Sequence, residues 1–116
     1  MENEKPPLYP QIYAVVRTIT HGTIASYSQV AAAIGMPRGA RIVGWAMGGL
    51  PKDTDVPWWR VVNKAGQLSI RNPHFGSEEQ RERLEREGVT LIREHELYLV
   101  TSDSWWTGLV VPPREQ

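Results

Sequence analysis

Between Ser26 and Gly48 the sequence sets out two short helices around a glycine turn, and this limits the fold more than any other feature. Gln29 follows Ser26 by three residues, the spacing of a capping box, in which side chain and backbone satisfy each other's free groups at a helix start. Tyr27, Val30, Ala31 and Ile34 then share one helical face. Gly35 ends that helix, and Met36-Pro37 turns the chain into another running to about Gly48. Helix, short glycine-containing turn, helix is the outline of a helix-turn-helix. The second helix is poor in propensity, because it holds Gly39, Gly44 and Gly48. Each interior glycine costs about 1 kcal/mol relative to alanine. A helix carries that cost where something must come close to its backbone, either a packed neighbour or DNA. On a helical wheel Ala40, Val43, Gly44 and Met47 fall on the expected core side, and Arg38, Arg41, Ile42 and Trp45 on the other.

Upstream, Ile12, Val15, Val16 and Ile19 predict an amphipathic helix over 10–20, with Pro10 in its first turn and Gly22 past its end. Downstream, a polar loop leads into Pro57-Trp58-Trp59-Arg60-Val61-Val62. Val61-Val62, the Asn63-Lys64-Ala65-Gly66 turn and Gln67-Leu68-Ser69 predict a small hairpin, or wing. Residues 71–76 read as loop. Ser77 and Gln80 repeat the capping-box spacing ahead of a charged helix over 78–87 that stops at Gly88. Its Glu79/Arg83 and Glu82/Arg86 pairs stand at i, i+4, as on a solvated face. Leu97-Tyr98-Leu99-Val100 is expected as a last strand, and Trp105-Trp106 as a lid over the core.

The 116 residues suffice for one domain and are too few for two. The expected layout is a disordered tail over 1–8, one domain over 9–110 and a second tail over 111–116. Lys+Arg and Asp+Glu both number 13, so affinity for nucleic acid has to come from local placement of arginines. The absence of cysteine excludes disulfides, thiolate metal sites and cysteine nucleophiles together. His21, His74 and His95 lie far apart, so neither metal nor cofactor is expected. No segment is apolar enough to span a membrane, and the first residues lack the apolar run of a signal peptide; a cytoplasmic protein is the expectation.

The ordered fragments Gly22-Thr23-Ile24-Ala25-Ser26-Tyr27, Ala40-Arg41-Ile42-Val43-Gly44, Pro57-Trp58-Trp59-Arg60-Val61-Val62 and Glu87-Gly88 run from residue 22 to 88, within a likeness that covers roughly 9–88. Together they resemble the DNA-binding domain of the O6-alkylguanine-DNA alkyltransferases, whose third fragment reads Pro-Cys-His-Arg-Val-Val. In those enzymes the cysteine takes the alkyl group from the damaged guanine. Trp58 in its place is the mark of the family's alkyltransferase-like branch. The resemblance implies a mainly α fold, a winged helix-turn-helix with a small β wing. It also implies a monomeric, non-enzymatic sensor of duplex DNA containing O6-alkylguanine, one that enters the minor groove, flips the lesion and marks it for nucleotide excision repair proteins. By the same resemblance Arg41, with Arg38 nearby, corresponds to the finger that takes the extruded base's place, and Tyr27 to the residue that helps rotate the nucleotide. The implied lesion pocket consists of Tyr27, Met47, Trp58, Val61 and Arg71, with Pro57, Arg60 and Glu87 structural around it.

Two departures stand out. Trp59 replaces the usual histidine, which the glutamate matching Glu87 orients as the base in active enzymes, so base and nucleophile are both missing. Leu50-Pro51 replaces the usual Asn-Pro, which puts the hydrogen bonds of that hinge asparagine in question. Two other classes compete with the sensor. A helix-turn-helix regulator would bind particular unmodified operators, usually as a dimer. An enzyme using Ser69, Ser77 or Thr54 as nucleophile would need a histidine brought close in space.

Overall fold

The amphipathic pattern near the start forms α1 (Leu8–Arg17), which buries Ile12, Val15 and Val16. The computed structural model describes residues 7–108, so most of the two expected tails lies outside the described residues. Helix α1 begins two residues ahead of Pro10, with Pro7 at its N-cap position. The early start suits proline in a first turn, where its missing N–H has no intrahelical partner to lose.

Both halves of the Ser26–Gln29 capping box are present at the start of α2 (Tyr27–Ala33). The Gln29 amide also donates to the Trp106 carbonyl at 2.8 Å, tying the helix start to the end of the domain. Helix α2 closes at Gly35, whose φ of +80° lets Met36 N–H reach Ala31 O and Gly35 N–H reach Ala32 O. This pair of bonds is the Schellman arrangement that glycine permits without a Cβ penalty. The next helix, α3 (Ala40–Gly48), starts later than expected. Pro37 and Arg38 are in the turn, so Arg38 precedes the recognition helix rather than lying on it.

Two residues of strand β1 (Ala25–Ser26) pair in parallel with β2 (Val61–Val62), in the register Ala25–Val61 and Ser26–Val62. This pairing sets Tyr27, the first residue of α2, beside the chain leaving the single 3-10 turn at Trp58–Arg60. Ile24 and Trp105 extend the pairing as a parallel bridge.

The wing differs from expectation. The 63–67 turn forms, with Asn63 N–H donating to Gln67 O at 3.1 Å. Residues after it do not fold back on Val61-Val62; Leu68 N–H donates to Tyr98 O at 3.0 Å and Gln67 bridges Leu99. The hairpin is instead β3 (Leu91–Glu94) with β4 (Leu97–Val100), antiparallel through four residue pairs. Its two-residue turn, His95-Glu96, has φ of 52° and 71°. Two positive φ values match a primed turn, which ordinarily carries Asn or Gly. The residues there gave no such signal.

Helix α4 (Ser77–Arg86) has Gly76 at its N-cap, and no side chain caps it. The expected Ser77–Gln80 box is absent because Gln80 is buried and its amide donates to Val61 O at 2.9 Å and Trp59 O at 3.2 Å. Glu79–Arg83 pairs as predicted, whereas Glu82 lies 3.8 Å from Arg81. Gly88, at φ +92°, closes α4 with Val89 N–H on Leu84 O. One apolar cluster joins α1, α2, α3, Trp58, Phe75 and Trp106; a smaller one joins Ile24, Val62, Leu68, Leu84 and Val89. Trp106 is the buried half of the predicted lid, and Trp105 stays 38% exposed.

Candidate nucleic-acid interface

Helix α3 presents two different faces. Val43, Ala46 and Met47 point into the core. Ala40, Arg41, Gly44, Trp45 and Gly48 line an open cavity of about 610 Å³, completed by Tyr27 from α2 and by Asn63, Ser69 and Arg71 from the loops. Ala40 and Gly44 were expected on the core side; they face the cavity because α3 starts at Ala40 and packs through Val43, Ala46 and Met47. The glycines separate by role. A Cβ at Gly48 would come within 2.8 Å of the Arg71 carbonyl, so Gly48 lets the 71–76 loop approach the helix. A Cβ at Gly44 would meet nothing within 4 Å, which leaves that position open toward the cavity.

Charge is local here. Two guanidiniums, Arg41 and Arg71, line the cavity, and among the described residues no carboxylate or histidine does. A neutral chain therefore presents a cationic recess. Arg41 is exposed and makes no ion pair or hydrogen bond among the described residues. Arg38 is exposed beside a second hollow of about 360 Å³ formed with Met36, Pro37, Gly39 and Ile42. Tyr27 packs against the core and lines the cavity at once. Burial pushes its hydroxyl above the usual value, against the opposing pull of a hydrogen bond with Ser69 and the charge of Arg71. Tyr27 thus faces the cavity as a neutral phenol at physiological pH.

Asn72 fixes the loop that carries Arg71. Its Nδ2 donates to Met47 O at 2.8 Å, Leu50 O at 3.1 Å and Gly48 O at 3.2 Å. These carbonyls lie at and just beyond the end of α3, where a helix runs out of intrahelical donors. With Leu50-Pro51 in place of Asn-Pro, a side chain from a different segment supplies hydrogen bonds to this hinge.

The Trp58–Trp59 pair lies toward the interior. Trp58 is 1% exposed and stacked on Phe75, with ring centroids 4.3 Å apart and planes 12° apart. Met47 and Val61 are also fully buried. These three residues, read from the sequence as pocket walls, therefore do not line the open cavity. Trp59 meets Trp58 edge-on at 5.8 Å and lies under the Arg83 guanidinium at 4.5 Å.

Behind them Glu87, the C-cap of α4, gathers four hydrogen-bond donors. Arg60 donates from Nε at 3.0 Å and Nη2 at 2.8 Å, Gly22 N–H at 2.9 Å and Trp59 Nε1 at 2.8 Å. Arg60 Nη1 also donates to Ile19 O at 2.8 Å. Burial pushes the Glu87 carboxyl up, but the bonds from Arg60, Gly22 and Trp59 and the Arg60 charge outweigh it, so the group sits below its usual range. An indole N–H can only donate, so Trp59 holds Glu87 but cannot accept a proton. Pro57, buried, leads into this turn.

Of the residues the resemblance singles out, the structure brings Tyr27, Arg41 and Arg71 around one cavity, and sequence reasoning reached no further into it. That reasoning missed Trp45, Asn63, Ser69 and Asn72 as parts of one site. Ser69, expected in the wing and as one candidate nucleophile, lines the cavity, where no described histidine accompanies it. Among the described residues no group of His, Asp or Glu is arranged to hold a metal, and no helix is long and apolar enough to cross a membrane.

A helix-turn-helix with a cationic recess on its second helix defines a DNA-binding class, and residues 7–89 match the family model of the 6-O-methylguanine DNA methyltransferase DNA-binding domain; the chain belongs to this family. Within it, the chain is 42% identical over 83 residues to alkyltransferase-like protein 1 of Schizosaccharomyces pombe, covering 72% of this chain and 77% of that protein. It is 39% identical over 87 residues to the DNA base-flipping protein of Escherichia coli, covering 74% of this chain and 66% of that one. The fold superimposes on the S. pombe protein in complex with damaged DNA containing O6-carboxymethylguanine with a TM-score of 0.78, at 37% identity over 85% of this chain and 94% of that one. The O6-methylguanine methyltransferase of Mycobacterium tuberculosis gives a TM-score of 0.62 at 32% identity, covering 72% of this chain and 50% of that one.

Proposed function

We propose that this chain binds O6-alkylguanine in duplex DNA from the minor groove, turns the lesion out of the stack and marks it for other repair proteins without transferring the alkyl group. The observation that carries the reading is the open cavity of Tyr27, Arg41 and Arg71 beside a Pro57–Val62 stretch that holds indoles and no thiol. Extruding a base costs a few kcal/mol, and least when the base pairs poorly. An O6-alkylated guanine has lost the N1 proton of its pairing edge, so the lesion lowers its own extraction cost. Arg41 is charged, planar and unpaired, and it fits the gap left in the stack, where it can donate to the orphaned partner base. Tyr27 and Arg71 offer the extruded base an aromatic face and a cation, contacts worth about 1–3 kcal/mol for stacking alone.

Contact of the alkyl group with Met47, Trp58 and Val61 belongs to the same proposal and requires the cavity to deepen on binding. The segment to shift is the 71–76 loop, because Phe75 covers Trp58. Pro57, Arg60 and Glu87 hold the floor of the site in place. With no group able to take the alkyl, removal of the lesion falls to another agent. Recruitment of nucleotide excision repair proteins is therefore part of the reading, as are a monomeric state and a cytoplasmic location.

A binding titration at one fixed salt concentration tests it, comparing a duplex with a single O6-methylguanine against the same duplex with guanine. Tighter binding to the lesion is expected. Equal binding to both would turn the assignment toward a regulator of unmodified DNA.

A further inference from the structure

Trp45 is the most exposed large apolar side chain among the described residues, at 60%, and it stands on the recognition helix at the rim of the cavity. Gly44 and Gly48 are among its neighbours on that face, and the indole stays largely open to solvent. Exposed aromatic surface of this kind, in a cationic recess, is what a binding face keeps. The chain has no excess positive charge, and the recess holds two guanidiniums, so the release of counterions can supply only part of its affinity for DNA.

We infer that Trp45 is a DNA-contacting residue that packs on the sugar and base edge of a nucleotide flanking the extruded guanine, and so supplies affinity that is insensitive to salt and indifferent to the lesion. The inference rests on the proposed entry of Arg41 into the stack. Trp45 follows Arg41 by four residues, on the same face and about 6 Å along the helix axis. That is close to two base steps of about 3.4 Å each. A side chain at this remove meets a nucleotide within two steps of the lesion rather than the lesion itself. The indole offers an apolar face and one N–H donor, and the minor-groove edge of every base pair presents an acceptor, so the contact needs no particular sequence. Position at the rim, rather than in the interior with Tyr27, separates Trp45 from the residues assigned to the flipped base.

The test is to measure binding of the full chain and its Trp45→Ala and Trp45→Phe variants to the guanine and O6-methylguanine duplexes across a salt series. Trp45→Ala should weaken binding to both duplexes by the same factor, about tenfold, with the slope of affinity against salt unchanged. Trp45→Phe should recover most of the loss. A loss confined to the lesion duplex, a changed salt slope or no loss at all would each overturn the inference. If the unaltered protein shows no lesion preference but Trp45→Ala still weakens both duplexes equally, the contact stands and the lesion-sensor reading falls.

Discussion

The two sides of the Trp58–Arg60 turn are built on opposite terms. Around Glu87 every contact is made: a buried carboxylate takes bonds from Arg60, Gly22 and Trp59, with side-chain exposures of 7% for Glu87 and 13% for Arg60. Around α3 the groups are left free: Arg41 without a partner among the described residues, Trp45 in solvent, and Gly44 facing open space. The resemblance to the alkyltransferases would place the enzymes' base and its orienting carboxylate in the region that is saturated here. Trp59 satisfies the glutamate as a donor and cannot accept a proton from it, and Trp58 is a buried indole stacked on Phe75. The recognition face, by contrast, keeps its unmet capacity for a ligand.

The largest expected effect comes from breaking the saturated side. Glu87→Ala strands the buried Arg60 charge and should destabilise the fold by about 3–5 kcal/mol, read from the chemical denaturation midpoint. Next comes the open side. Arg41→Ala should weaken lesion binding at least about tenfold and move stability by no more than about 0.5 kcal/mol, because no described residue holds this side chain. Gly48→Ala crosses the comparison, since its Cβ would press on the Arg71 carbonyl. It should cost about 1–3 kcal/mol and weaken lesion binding with it, as the Arg71 loop is displaced. Paired denaturation and binding curves check both.

A smaller effect concerns pH. Glu87 has a depressed folded value, so its stabilisation is complete above the ordinary value of 4.5 and is lost as pH falls through the folded value. The stability gap between the unaltered protein and Glu87→Gln should be constant from neutral pH down to about 4.5 and close below it. No effect at all is expected from Trp58→Cys on chemistry. A thiol placed there has no neighbouring base, and incubation with lesion duplex should leave the variant unalkylated.

Much of the open side was legible in the sequence because its signals are local. The Ser26–Gln29 box, Gly35 and the Ala40-to-Gly44 fragment lie close together, and each acts through backbone geometry within a few residues. What was not legible depends on long-range pairing. Asn72 reaches the end of α3 across more than twenty residues, and no periodicity announces such a bond. Gln80 had the spacing of a cap, yet burial against Val61 and Trp59 drew its amide to their carbonyls instead. The wing was misplaced because His95-Glu96 carries two positive φ values without Asn or Gly to signal them. Trp58 could be placed near the site from its motif, but its burial depends on Phe75, which no motif linked to it.

The most direct test of the central claim, recognition kept and chemistry lost, is to saturate the protein with O6-methylguanine duplex and then determine the intact masses of both. The account predicts a complex that forms in preference to guanine duplex and returns protein and DNA with unchanged masses. A protein heavier by one methyl group, with a DNA strand lighter by the same amount, would contradict it.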